Sequence, residues 1–142
     1  MSAALDALFE AARAARENAY APYSGYRVGA AVTAETGAVF AGCNVENAAY
    51  PVGTCAEAGA IAAMVAAGMR RISAILVLAD GGELVTPCGA CRQRIREFAT
   101  DATPVHLADA AGVKRTLTLG ALLPFAFGPD NMSGSGSPAR PS

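Results

Sequence analysis

Residues 54–91 read TCAEAGAIAAMVAAGMRRISAILVLADGGELVTPCGAC, and the succession of elements in this stretch decides the fold. From Cys55 to about Ala67 the chain is expected to be helical, closed by Gly68 as a C-terminal cap. Ile72 to Leu78 is a nearly unbroken aliphatic run, which suits a central strand buried on both faces. Gly81-Gly82 turns the chain, and a second helix is expected from Pro87 to about Phe98. Thr86 is placed to cap that helix and Pro87 to occupy its first position. Helices alternating with a buried strand make a single α/β domain.

Upstream, Arg27 to Thr33 and Ala38 to Cys43 predict two short strands joined through Glu35-Thr36-Gly37. Before them, Leu5, Leu8, Phe9 and Ala12 recur at helical spacing, so a first amphipathic helix is expected, ended by Pro22. Downstream, Val105 to Leu107 and Arg115 to Leu117 are weaker strand candidates. The domain is expected to span 1–130. Residues 131–142 are dominated by Gly, Ser and Pro and should form a tail without structure.

Composition narrows the functional classes. A net charge of −1 argues against a machine that grips polyanions. The longest uncharged stretch of the apolar middle, Ala58 to Met69, is too short for a spanning helix, which needs about 20 residues. Asp6, Glu10 and Glu17 among the N-terminal alanines fit neither a secretory signal nor a transit peptide. A cytoplasmic, reducing setting is therefore expected, in which four cysteines are metal ligands or buried thiols. With 53% apolar residues and a mean hydropathy of +0.31, the chain is expected to bury further surface in an oligomer.

The chemistry concentrates in two places. Cys88 and Cys91, three apart at the start of a helix, can grip one ion from one face. The helix dipole and free amides there favour the thiolate, the form that binds metal. Thr54-Cys55-Ala56-Glu57 has two readings: a capping box around a small buried residue, or a third thiolate with a carboxylate beside it. Three thiolates from two helix starts leave a zinc ion one open position, the catalytic pattern. Zinc brings the pKa of a bound water to about 7, and Glu57 is placed to shuttle its proton. Cys43, at a strand end, is read as a packed structural thiol. His106, the only histidine, fits packing or surface.

Cys55-Ala56-Glu57 followed by Pro87-Cys88-Gly89-Ala90-Cys91 resembles the signature of the zinc deaminases. Tyr23-Ser24-Gly25-Tyr26-Arg27-Val28-Gly29-Ala30-Ala31 and Gly42-Cys43-Asn44-Val45-Glu46-Asn47-Ala48 look like the nucleoside-binding signatures of the small homotetrameric cytidine deaminases. The similarity runs from roughly Ala19 to Phe127. It implies a three-layer α-β-α sandwich around a mixed sheet of about five strands. It also implies hydrolysis of cytidine and deoxycytidine to the uracil nucleosides in pyrimidine salvage. Zinc would sit on Cys55, Cys88 and Cys91, with Glu57 as proton shuttle.

The resemblance further puts Asn44 and Glu46 on the ribose, Tyr26 beside the nucleoside and Phe127 in a neighbouring subunit's site. The backbone around Ala56 and Thr86 would meet the base edge. Asn47 is read as a loop cap. The expected partners are a small nucleoside and further copies of the chain, not nucleic acid or membrane.

One departure stands out. Most trithiolate members place Arg directly after Cys-Ala-Glu, where its guanidinium offsets sulfur charge; here Ala58-Gly59 follow. Arg92, or amides of a helix start loosened by Gly59, is the expected substitute. Three rival readings remain. The substrate could be another cytosine nucleoside such as blasticidin S, which the Ala58-Gly59 departure motivates. It could be a polynucleotide, although the run Arg92-Gln93-Arg94-Ile95-Arg96 is read as a solvated helix face. Or Cys43 could close a four-sulfur, non-catalytic zinc module.

Overall fold

A computed structural model describes residues 2–133 of the chain. Ser2 caps the first helix, α1 (Ala3–Glu17), by accepting from the Leu5 amide at 3.1 Å. Strands β1 (Val28–Ala34) and β2 (Val39–Cys43) follow as an antiparallel hairpin. A short 3-10 turn (Tyr50–Val52) leads into α2 (Ala56–Ala66). Next come β3 (Ile72–Ala79), α3 (Gly89–Phe98), β4 (Pro104–Asp109), β5 (Gly112–Thr118), and two single-turn helices, α4 (Leu119–Leu122) and α5 (Pro129–Ser133). Among the described residues no helix is long and apolar enough to cross a membrane.

The five strands form one sheet in the order β2-β1-β3-β4-β5, with β3 and β4 parallel and the other neighbours antiparallel. Strand alternation sends Leu76 and Leu78 of β3 toward Leu8, Phe9 and Ala12 of α1. Ile75 points the other way, into a core with Ala60, Ile61 and Met64 of α2 and Ile95 of α3. The expected α-β-α sandwich is thus realised, and β3 is buried on both faces as its aliphatic run implied. Each Leu or Ile sealed here contributes about 1.5–3 kcal/mol relative to exposure.

Two glycines set how closely the helices lie on the sheet. A Cβ on Gly29 would fall 2.0 Å from the Ala12 carbonyl oxygen, and one on Gly42 would fall 2.4 Å from the Ala60 amide nitrogen. Helices α1 and α2 therefore rest directly on the backbones of β1 and β2. Alanine, the strongest helix former, keeps α2 helical while adding little bulk at that contact.

Several boundaries differ from the sequence reading. Helix α1 ends at Glu17, before Pro22, because the chain turns at Asn18 so that Tyr20 can bridge to Val45. Helices α2 and α3 each begin one residue past a cysteine: the caps are Cys55 and Cys88, neither making a side-chain capping bond. The expected Thr86 cap and the Thr54/Glu57 capping box are both overturned. Thr54 instead exchanges backbone hydrogen bonds with Val45, which fixes it in an extended bridge. Helix α5 runs through residues 131–133, the first of the expected tail. The remaining tail, 134–142, lies outside the described residues.

Candidate metal centre and nucleoside cleft

Because Cys55 caps α2 and Cys88 caps α3, two helix N-termini converge, and Cys91 stands in the first turn of α3. The three sulfur atoms lie within 4.8 Å of one another, with Cys55 and Cys88 Sγ 3.9 Å apart. Tetrahedral zinc with bonds of about 2.3 Å to sulfur sets its ligands about 3.8 Å apart, so the cluster fits that ion. Cys91 is fully buried and Cys88 exposed, which leaves the open side facing the cleft.

The electrostatics favour the same occupant. Burial, then the charges of neighbouring groups, pushes the Cys55 and Cys91 thiols above the ordinary thiol value. Burial also opposes ionisation of Cys88, but the nearby polar hydrogens of the Cys91 amide and of the Cys91 and Cys55 thiols outweigh it. A dication among the three reverses this resistance to deprotonation, so metal binding must release protons. Cys43 is not part of the group; it is half-buried and pairs with Gly29 across the hairpin. The closed four-sulfur reading therefore has no fourth sulfur here.

Glu57 sits in the first turn of α2, only 4% exposed. Burial drives its carboxyl above the usual carboxylate range. Its own backbone amide, the Cys91 thiol and the Arg94 guanidinium pull the other way without cancelling that rise. A buried carboxylate of raised basicity beside a group of metal-ligating thiols is suited to taking up and giving back a proton.

In front of these groups opens a cavity of about 530 Å³. Ala56, Glu57, Thr86 and Cys88 line one side, and Tyr23, Tyr26, Asn44 and Glu46 the other. Glu46 is held in place by the turn opposite: its Oε1 accepts from the amides of Tyr23 (2.9 Å) and Ser24 (3.2 Å), and its Oε2 from the Ser24 hydroxyl. The Ser24 hydroxyl, and then those amides, hold the carboxyl below the usual range. Asn44 is partly committed already, since its Oδ1 accepts from the Val28 amide and its Nδ2 donates to the Tyr26 carbonyl, both at 2.8 Å. One amide hydrogen is left over for a ligand. Asn47 caps its own loop through Ala49, as expected.

Phe127 is 59% exposed and does not line this chain's cavity; Gln93 of α3 holds its carbonyl at 2.7 Å. His106 lies on β4, outside the site. The arginine run on α3 departs from the solvated face expected of it. Arg92 donates to the carbonyls of Pro87 and Leu122, both at 2.8 Å, so it faces backbone rather than sulfur. Arg96 is largely buried near Asp101 and Asp130. It is Arg94 that reaches the cluster, with Nη1 3.6 Å from Cys91 Sγ. The sequence reading missed this residue. The signal was its spacing, three residues after a ligand on a helix, which puts both on one face.

The chain matches the family model described as cytidine and deoxycytidylate deaminase zinc-binding region over residues 3–107. It is 43% identical to a cytidine deaminase of Sporosarcina psychrophila, across 91% of this chain and 95% of that protein. A cytidine deaminase of Halalkalibacterium halodurans is 42% identical, across 89% and 96% respectively. Among solved structures, a cytidine deaminase from Burkholderia pseudomallei superposes with a TM-score of 0.82 at 46% identity, covering 89% of this chain and all of that one.

Proposed function

The chain belongs to the cytidine deaminase family, and from that premise we propose that it hydrolyses cytidine and deoxycytidine to uridine and deoxyuridine, releasing ammonia. The observation that carries this reading is the meeting of Cys55, Cys88 and Cys91 beside buried Glu57 at one end of an open cavity. Zinc, held by the three cysteines, supplies the Lewis acidity that lowers the pKa of water toward 7.

The chain's own residues do the rest. Water adds its oxygen to C4 of the cytosine, and Glu57 takes the proton it sheds and places it on N3. Glu57 then carries the second proton of that oxygen to the exocyclic amine. The C4–N4 bond breaks, ammonia leaves and the C4 oxygen becomes the uracil carbonyl. Raised basicity serves the first transfer, and shielding from bulk water keeps the proton on this path.

Across the cavity, Glu46 and Asn44 are proposed to bind the ribose hydroxyls, with Tyr26 alongside the nucleoside and the Ala56 and Thr86 backbones at the base edge. A fixed carboxylate acceptor facing an amide donor suits a hydroxyl, which both donates and accepts. A polynucleotide has little support, because Arg92 and Arg96 are spent on internal partners.

A homotetramer is proposed, with Phe127 of one copy completing another's cavity. Supporting it are the exposure of Phe127 outside its own cavity and the exposed aromatic surface of Tyr20, Tyr50 and Phe125 nearby in sequence to cleft and C-terminal segment. The unit is proposed to be one domain over 1–130, working in the cytoplasm, where the four free thiols stay reduced.

The test is ammonia release from cytidine by the purified protein, with zinc and molar mass measured on the same sample and blasticidin S as the competing substrate. Turnover of cytidine with about one zinc per chain supports the reading. Zinc without cytidine turnover overturns it.

A further inference from the structure

Three thiolates around a dication leave a net charge of −1, and ionised Glu57 adds a second negative charge beside it. An anionic centre is a weak Lewis acid, so electron density on sulfur has to be drawn off elsewhere. The N-termini of α2 and α3 contribute partial positive charge, but their ends lie nearest Cys55 and Cys88, the caps. Cys91 is different. It is the fully buried ligand, a turn's depth into α3, and it has Glu57 as neighbour.

One cation is aimed at that sulfur. Arg94 stands three residues after Cys91 on the same helix. Helical side chains lean back toward the N-terminus, which brings Nη1 to 3.6 Å from Sγ. The neighbouring cations are occupied: Arg92 by two backbone carbonyls, Arg96 near two carboxylates. Arg94 has no other hydrogen bond or ion pair among the described residues. Arg94 is an exposed residue and belongs to neither core cluster, so the fold does not depend on it.

We propose that Arg94 is the positioning residue of the metal centre: its guanidinium hydrogen-bonds the Cys91 thiolate, drawing charge from sulfur and keeping the metal electrophilic. The proposal rests on the reading of the three cysteines as the zinc ligands. It assigns to α3 both two ligands and the cation that tunes one of them.

The experiment compares the zinc-loaded and cobalt-substituted forms of the full chain with those of R94M and R94K. Methionine keeps much of the alkyl stem but removes both charge and donor; lysine restores the charge without the fork. For R94M the expected result is full metal content, an unchanged melting temperature, and kcat for cytidine lowered about ten- to hundredfold. KM should stay within about twofold, because substrate binding is untouched. The sulfur-to-cobalt charge-transfer band should move to longer wavelength as the thiolate becomes more electron-rich, and R94K should recover part of both effects. Wild-type kcat and band position in R94M overturn the proposal, and so does a fall in kcat with the band unmoved, which marks a role through Glu57 or through packing rather than through sulfur. A wild-type cobalt protein lacking three-sulfur charge transfer overturns the zinc reading itself and the proposal with it.

Discussion

On one side of the cleft, Cys55, Cys88, Cys91 and Glu57 stand at the starts of two helices that each turn one stripe into the core, Ala60, Ile61 and Met64 on α2 and Ile95 on α3. On the other side, Glu46, Asn44 and Tyr26 stand on loops stitched together by hydrogen bonds and isolated bridges. The helical wall is deep: Ala56, Glu57 and Cys91 are buried, and Gly42 lets α2 settle on β2 beneath them. The loop wall is shallow, with Tyr23, Tyr26 and Tyr50 each at least 42% exposed. A proton-transfer site needs dry, fixed groups, and sheet-backed helix starts provide them. The proposed sugar site needs donors and acceptors that water would otherwise satisfy, and a pre-bonded loop is suited to that. One wall is complete within a single chain; the other still exposes its aromatics.

The strongest way to break the comparison is to strip the helical wall of its proposed proton carrier. Glu57→Ala should retain fold and zinc yet lose turnover by about 10²–10⁴-fold or more, the range of general acid–base catalysis. Glu57→Gln, with the same shape and no basicity, should behave alike. Substantial residual rate in both variants would remove Glu57 from its role.

Glu46→Gln strikes the loop wall and should act differently. The neutral amide cannot accept as strongly from the Tyr23 and Ser24 amides, so the turn loosens and its grip on the ribose with it. KM for cytidine should rise by about tenfold, the equivalent of one charge-assisted hydrogen bond, while kcat changes less. An unchanged KM would detach Glu46 from the sugar. If Phe127 completes a neighbouring copy's cavity as proposed, Phe127→Ala should raise KM by a smaller factor and weaken the proposed assembly, read by light scattering across a dilution series. An unaltered molar mass with unaltered KM would place Phe127 outside both the site and the proposed subunit contact.

The two walls were also unequally legible in the sequence. The cysteine spacing and the helix–strand–helix order announced the metal side, because ligand geometry and hydrophobic periodicity are local properties. The caps were misplaced, by one residue at α2 and by two at α3, because Thr is the better capping side chain, whereas Cys55 and Cys88 are the last non-helical residues. Arg94 was hidden inside a run of arginines, where composition suggests solvent and only the three-dimensional helix phase separates the members. That Asn44 spends two of its hydrogen-bonding groups on Val28 and Tyr26 depends on how the loops return past one another. Residue type alone does not encode that return. The short helices α4 and α5 carry too few residues to leave a periodic trace.

The smallest expected effect comes from a group in neither wall, and it separates the acid response of the fold from that of the site. His106 is half-buried on β4, with Nδ1 2.8 Å from the Thr116 hydroxyl on β5, and burial holds its pKa below the ordinary 6.5. The unfolded chain therefore takes up a proton at this residue before the folded one does. Above 6.5 both states are neutral and the residue contributes nothing to the pH dependence. As pH falls from 6.5 through the lower folded value, the unfolded state binds more protons and stability declines. His106→Gln keeps a polar partner for Thr116 but cannot titrate. Denaturant melts of the two proteins should run parallel above that window and diverge inside it, the variant losing less stability on acidification. Their activities should keep one and the same pH dependence, because His106 lies on β4 and does not line the cleft. Parallel melts throughout would mean that burial does not shift His106, and diverging activities would tie β4 to the cleft.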